Sequence, residues 1–96
     1  HSVVQELIQV ILEDFPAYVS DLSQAVKQKD MDKIKMTAHT IKGAAANMSL
    51  KYFSELAKNI EMDIKHNEGK FESIQEELVQ EWQLLEKLLM DKAELS

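Results

Sequence analysis

The chain has no cysteine, one proline and two glycines among its 96 residues. The lack of cysteine excludes a disulfide framework, thiolate metal ligation and thiol nucleophiles, and makes a reducing, cytoplasmic setting natural. So few chain breakers leave little room for the many turns of a β-sandwich. No apolar run approaches the roughly 20 residues needed to cross a bilayer, and no charged segment leading into an apolar one opens the chain, so no membrane contact is expected. What is present is ordinary for a globular unit: 45% apolar and 29% charged residues. Residues 1–96 are read as one domain, with a single core hiding roughly two thirds of the extended-chain surface. The first residue is not methionine, so a fragment of a longer protein is expected, and His1 and Ser2 carry no weight in the reading.

The net charge of -6 opposes nucleic-acid binding. The charge is unevenly spread: from Lys27 to Lys58 seven lysines face three acids, and elsewhere four lysines face fourteen acids. A basic segment in an acidic protein reads as a local docking or anion site, with ordinary solvated helix faces as the competing account.

Apolar residues recur at three- and four-residue steps along the whole chain, and no stretch alternates with period two. The spacing predicts five helices. Val4, Leu7, Ile8 and Ile11 mark a short first one. Phe15, Val19, Leu22 and Val26 mark a second, with Asp14 as N-cap and Pro16 in its first turn. The third carries Met31, Ile34, Ala38, Ile41, Ala45 and Met48 behind Asp30 as N-cap. The fourth carries Leu50, Phe53, Ala57, Ile60 and Ile64 behind Ser49. The fifth carries Phe71, Ile74, Leu78, Trp82, Leu85 and Leu89 after a turn at Asn67 and Gly69. Short connections imply an all-α, antiparallel up-down four-helix bundle with a short N-terminal flanking helix, and the tail from Lys92 to Ser96 is expected to fray.

On the third helix, at about 100° per residue, His39 lies roughly 130° from the centre of the apolar stripe. It therefore projects to solvent instead of into a core. Lys35, Met36, Lys42, Gly43 and Ala46 share its flank. Gly43 stands in mid-helix, where alanine would be better by about 1 kcal/mol. Side chains lean toward the helix N-terminus, so a glycine one turn after His39 leaves the imidazole open to something large. Lys42 can bring an ammonium group to the same space. A neutral imidazole is nucleophilic near pH 7, because its reference pKa is about 6.5, so this grouping suits a histidine that receives a phosphoryl group. A chance His-x-x-Lys-Gly in such a chain is on the order of one in a hundred.

The stretch Ala38-His39-Thr40-Ile41-Lys42-Gly43-Ala44-Ala45-Ala46-Asn47-Met48 closely resembles the signature of histidine-containing phosphotransfer (HPt) domains of multistep two-component signalling. The resemblance takes in the Phe15-Pro16 helix entry, Asp30 before the motif helix, Leu56 through Glu61 on the next helix, and a long final helix. It implies a four-helix bundle with a short N-terminal helix, in which His39 accepts the phosphoryl group, Lys42 assists it and Gly43 gives a receiver domain access. The family's usual glycine after Asn47-Met48 is Ser49 here, a departure that bears on the turn and that serine can meet by capping the following helix.

The two glycines cannot form a phosphate-binding loop and no nucleotide motif occurs elsewhere, which points to a carrier without an enzyme's nucleotide site. Phosphoryl is then expected to pass between response-regulator receiver domains, with a sensor histidine kinase, in the same chain or a separate one, as a further partner. No cofactor is expected on this domain, whereas Mg²⁺ belongs to the partner receiver, whose acidic site suits the lysine-rich flank. Met36 and Ala46 are candidates for an apolar docking patch, with an isolated exposed methionine as the plain alternative. Lys35 and Lys58 are candidates for partner contact, Lys58 on the expectation that it lies level with His39. Asn47 reads as a helix cap and His66 as a charge matched to a helix C-terminus. Glu72, Glu76, Glu77 and Glu81 read as a solvated face, and no metal site is expected. The phosphoacceptor domain of a chemotaxis-type kinase and a non-catalytic helical adaptor are the alternatives.

Overall fold

A computed structural model describes residues 3–94, which form four helices and no strand. They are α1 (Val3–Gln28), α2 (Met31–Asn47), α3 (Lys51–His66) and α4 (Phe71–Glu94). Each helix packs on its neighbours in sequence and α1 closes on α4, giving a square antiparallel bundle of 45 × 20 × 17 Å.

The two helices expected before Lys29 are one. Val3–Gln28 is continuous for 26 residues with Pro16 inside it, so there is no separate flanking helix and Asp14 caps nothing. Proline removes one backbone hydrogen bond from a helix interior. The buried row Ile8, Ile11, Phe15, Val19 and Leu22 runs through it without a break in register. Burial of that row offsets the missing bond, since tertiary packing contributes most of a helix's stability. Phe15 is 1% exposed and stacks on Trp82 at 5.8 Å between ring centroids, with Phe53 close to both rings.

Three of the expected core positions lie outside the core: Val4, Leu7 and Met31 are exposed. The last helix extends three residues into the expected tail, since α4 runs to Glu94, whereas the rest of that expectation, and His1 and Ser2, lie outside the described residues.

The first three helices end alike. Lys29, Ser49 and Asn67 adopt left-handed backbone with φ of 54°, 61° and 55°. The next amide then reaches back to the last turn: Asp30 N to Ala25 O at 3.1 Å, Leu50 N to Ala45 O at 2.9 Å and Glu68 N to Asp63 O at 3.2 Å. Ser49 thus occupies the conformation glycine favours and terminates α2 instead of capping α3, whose N-cap is Leu50. Asn47 remains in the helix and Met48 is the C-cap. Asp30 does cap α2, its side chain accepting from Lys33 N at 3.2 Å. At the start of α4, the buried Asp63 carboxylate accepts from the Lys70 amide and ties the Asn67–Gly69 turn to α3.

Candidate functional site

The buried row of α2, Ile34, Ala38, Ile41 and Ala45, fixes the helix's rotation and leaves His39 outside. The His39 side chain is 66% exposed. The tight turn at residues 48–50 sets the register between α2 and α3, and that register brings Glu61 opposite His39. The Glu61 carboxylate, 17% exposed, spans two partners: Oε2 lies 2.9 Å from His39 Nδ1 and Oε1 lies 2.9 Å from Lys42 Nζ. Partial burial alone would raise the carboxyl's pKa, but the hydrogen bonds from Lys42 and His39 together outweigh it and hold the group below its ordinary range. An ionised carboxylate can only accept, so Nδ1 must be the protonated nitrogen. The tautomer this selects leaves Nε2, on the far side of an exposed ring, with a free lone pair.

Lys42 has three ammonium protons and spends one on Glu61. Its backbone carbonyl accepts from Ser54 Oγ at 2.9 Å, a second tie between α2 and α3 beneath the site. Gly43 is exposed, and a Cβ placed there meets nothing within 4 Å. Internal packing therefore does not demand the glycine, and the space above it is open.

A groove of about 310 Å³ runs beside the imidazole, lined by Asp32, Lys35, Met36, His39, Thr40 and Glu61. Lys35 and Met36 stand where the α2 wheel puts them, whereas Ala46 lines a different groove with Ser49, Lys51, Ser54 and Glu55. Met36 and Ala46 thus do not form one patch, because ten residues of helix separate them by about 15 Å. Lys58 is exposed on α3, one turn before the residue that meets His39. The offset arises because the turn consumes Met48, Ser49 and Leu50 before α3 begins.

Glu61 is the member of this cluster that residue spacing on α2 could not supply. Its signal was only indirect: a carboxylate on the next helix, about as far past the turn as His39 and Lys42 lie before it. Among the described residues no group of three or more histidines and carboxylates is placed to hold a metal ion, and no helix is long and apolar enough to cross a membrane. His66 sits in the last turn of α3 as expected. Glu77 accepts a hydrogen bond from the Tyr52 hydroxyl at 2.6 Å, which raises the tyrosine pKa.

The sequence pattern of the Hpt domain matches residues 6–92, nearly the whole chain. No curated protein and no solved structure matches it significantly.

Proposed function

The chain belongs to the Hpt domain family, whose members carry phosphoryl groups in two-component signalling, and from that premise we propose that His39 is the phosphoacceptor of a relay between receiver domains. The observation that carries the reading is the clamp of one carboxylate on both His39 and Lys42.

The clamp accounts for each chemical requirement of transfer. Glu61 holds the Nδ1 proton, so the Nε2 lone pair is free to attack the phosphorus of an aspartyl phosphate. The N–P bond forms as the P–O bond to the aspartate breaks, and the electron pair leaves with the carboxylate. The ring keeps its Nδ1 proton and becomes cationic, a charge the Glu61 carboxylate stabilises where it develops. Lys42 has two ammonium protons to offer the arriving phosphoryl oxygens. Onward transfer is the reverse step with a second receiver aspartate, the cationic ring serving as leaving group. Gly43 keeps clear the approach for the partner's active-site face, and Lys35, Met36 and the groove beside them receive that partner. Lys58 and Ala46 are left to the margins of the contact.

Nucleotide plays no part in these steps; Mg²⁺ belongs to the receiver's acidic site. The lysine-rich flank of α2 and α3 complements that acidity. The working compartment is the cytoplasm, and a sensor kinase is a further partner. The test uses purified receiver domains carrying a radiolabelled aspartyl phosphate. Wild-type protein acquires acid-labile, base-stable label on one histidine, and His39→Gln acquires none while keeping its helical circular dichroism. Undiminished labelling of His39→Gln would remove the assignment.

A further inference from the structure

Among the described residues three side-chain hydrogen bonds join α2 to α3, and all three end on His39 or Lys42. Two belong to the Glu61 carboxylate. The third runs from Ser54 Oγ to the Lys42 carbonyl at 2.9 Å and touches no group that reacts.

A helical carbonyl uses one lone pair in the helix ladder, so Ser54 takes the second and leaves the ladder intact. Lys42 is thereby held from both ends, its carbonyl by Ser54 and its ammonium by Glu61. On the α3 wheel Ser54 and Glu61 point within about 20° of each other, two turns and about 10 Å apart along the axis. Both stand on the flank beside the buried row Phe53, Leu56, Ala57 and Ile60. One flank of α3 thus grips one residue of α2 at two heights.

The apolar contacts beneath do not fix that register by themselves. Hydrophobic burial is non-directional. The fully buried Ala38, Ala45 and Ala57 present side chains too short to interlock deeply. A slide of α3 by about 1 Å would keep them covered but would stretch a 2.9 Å hydrogen bond past its useful range. The two Glu61 bonds differ in tolerance. The four-carbon stem of Lys42 can follow a moving carboxylate, whereas the imidazole, on a single methylene, cannot. The bond at risk is therefore the one donated by His39 Nδ1, on which the free Nε2 lone pair depends.

We propose that Ser54 is a positioning residue for phosphoryl transfer, holding α3 against α2 at the register where Glu61 meets both His39 and Lys42. The proposal rests on the reading of His39 as phosphoacceptor. Without the Ser54 hydroxyl, the imidazole loses its fixed acceptor and its proton is shared between the two ring nitrogens. A proton on Nε2 blocks attack on phosphorus.

The test needs no receiver domain. Potassium phosphoramidate donates phosphoryl to an imidazole nitrogen and releases ammonia, and mass spectrometry follows the label on His39, with the exposed His66 as internal reference for the reagent. Nitrogen-15 spectra of the histidine rings report the tautomer independently. Ser54→Ala should fold, since alanine is the better helix former. It should raise the Nε2-protonated form of His39 and slow its labelling at least about threefold relative to His66. Ser54→Thr, which keeps the hydroxyl, should restore both. Ser23→Ala removes another hydroxyl that joins two helices, the acceptor of the 2.9 Å bond from Gln75 Nε2, and should leave His39 as in wild type. An unchanged tautomer and rate in Ser54→Ala would overturn the proposal, as would equal effects of Ser23→Ala or no rescue by threonine. Wild-type protein that takes no label on His39 would instead bring down the phosphoacceptor reading, so the two failures are told apart.

Discussion

The α2–α3 pair and the α1–α4 pair are built on opposite principles. The buried faces of α2 and α3 carry small residues, Ala38, Ala45 and Ala57, which let two short helices pair extensively. Close approach is what lets a glutamate reach across to a histidine and a lysine with hydrogen bonds of 2.9 Å. The α1–α4 pair meets through Phe15 and Trp82, large rings that hold most of the aromatic core, with a polar tie, Gln75 Nε2 donating to Ser23 Oγ at 2.9 Å, well away from His39 in the chain. If the proposed transfer is right, the chemistry is lodged in one half of the domain and the aromatic packing in the other, and each half should be alterable with limited effect on the other.

The largest expected effect on stability belongs to the aromatic half. Trp82→Ala should cost about 3–5 kcal/mol, a large share of the roughly 5–15 kcal/mol that holds such a domain together. Urea denaturation measures it. The fraction that remains folded should still accept phosphoryl, and loss of acceptance in that fraction would break the division of labour just drawn.

Glu61→Gln addresses the other half. Glutamine keeps the size and an acceptor for Nδ1 but loses the charge that stabilises the cationic ring and engages Lys42. A hydrogen bond to a charged group contributes about 1.5–3 kcal/mol, so the transfer rate should fall about tenfold or more, whereas folding stability at pH 7 should change little by comparison with Trp82→Ala. The pH dependence has a definite sign. The folded carboxyl titrates below its ordinary value of 4.5, so its contribution to stability is complete above that value and is lost as pH falls through the lower folded one. The stability difference between wild type and Glu61→Gln should therefore shrink on going from pH 7 to pH 3, and a constant difference would mean that the clamp adds nothing to folding.

The smallest effect separates stability from function at a single position. Gly43→Ala places a methyl group in open space on a helix. It should stabilise the fold by up to about 1 kcal/mol, raising the melting temperature by a few degrees, while slowing transfer from a receiver. A variant that is both more stable and equally fast would show that the glycine is not there for access.

The shared outward flank of His39, Lys42 and Gly43 could be read from the chain because all three lie within one helix, where spacing alone fixes direction. The same holds for Asp30, whose capping role depends on the residues just after it. Glu61 escaped because its place depends on how many residues the 48–50 turn consumes, and Ser49 there adopts a backbone conformation its side chain does not announce. Lys58 was placed too close to His39 for the same reason. The division of α1 at Pro16 fails for a different reason: a proline fits a helix's first turn, but here the buried row continues through it and holds the helix together.

The order of apolar and polar residues thus settled the helical class, the outward face of α2 and the histidine upon it, since each follows from a 3.6-residue period within a continuous segment. Only tertiary packing decided that α1 is unbroken, that α1 and α4 overrun their partners, and that a carboxylate from α3 sets the imidazole's tautomer. Those outcomes depend on how far one helix is displaced along another, and that displacement is fixed by turns and buried contacts between residues distant in the chain.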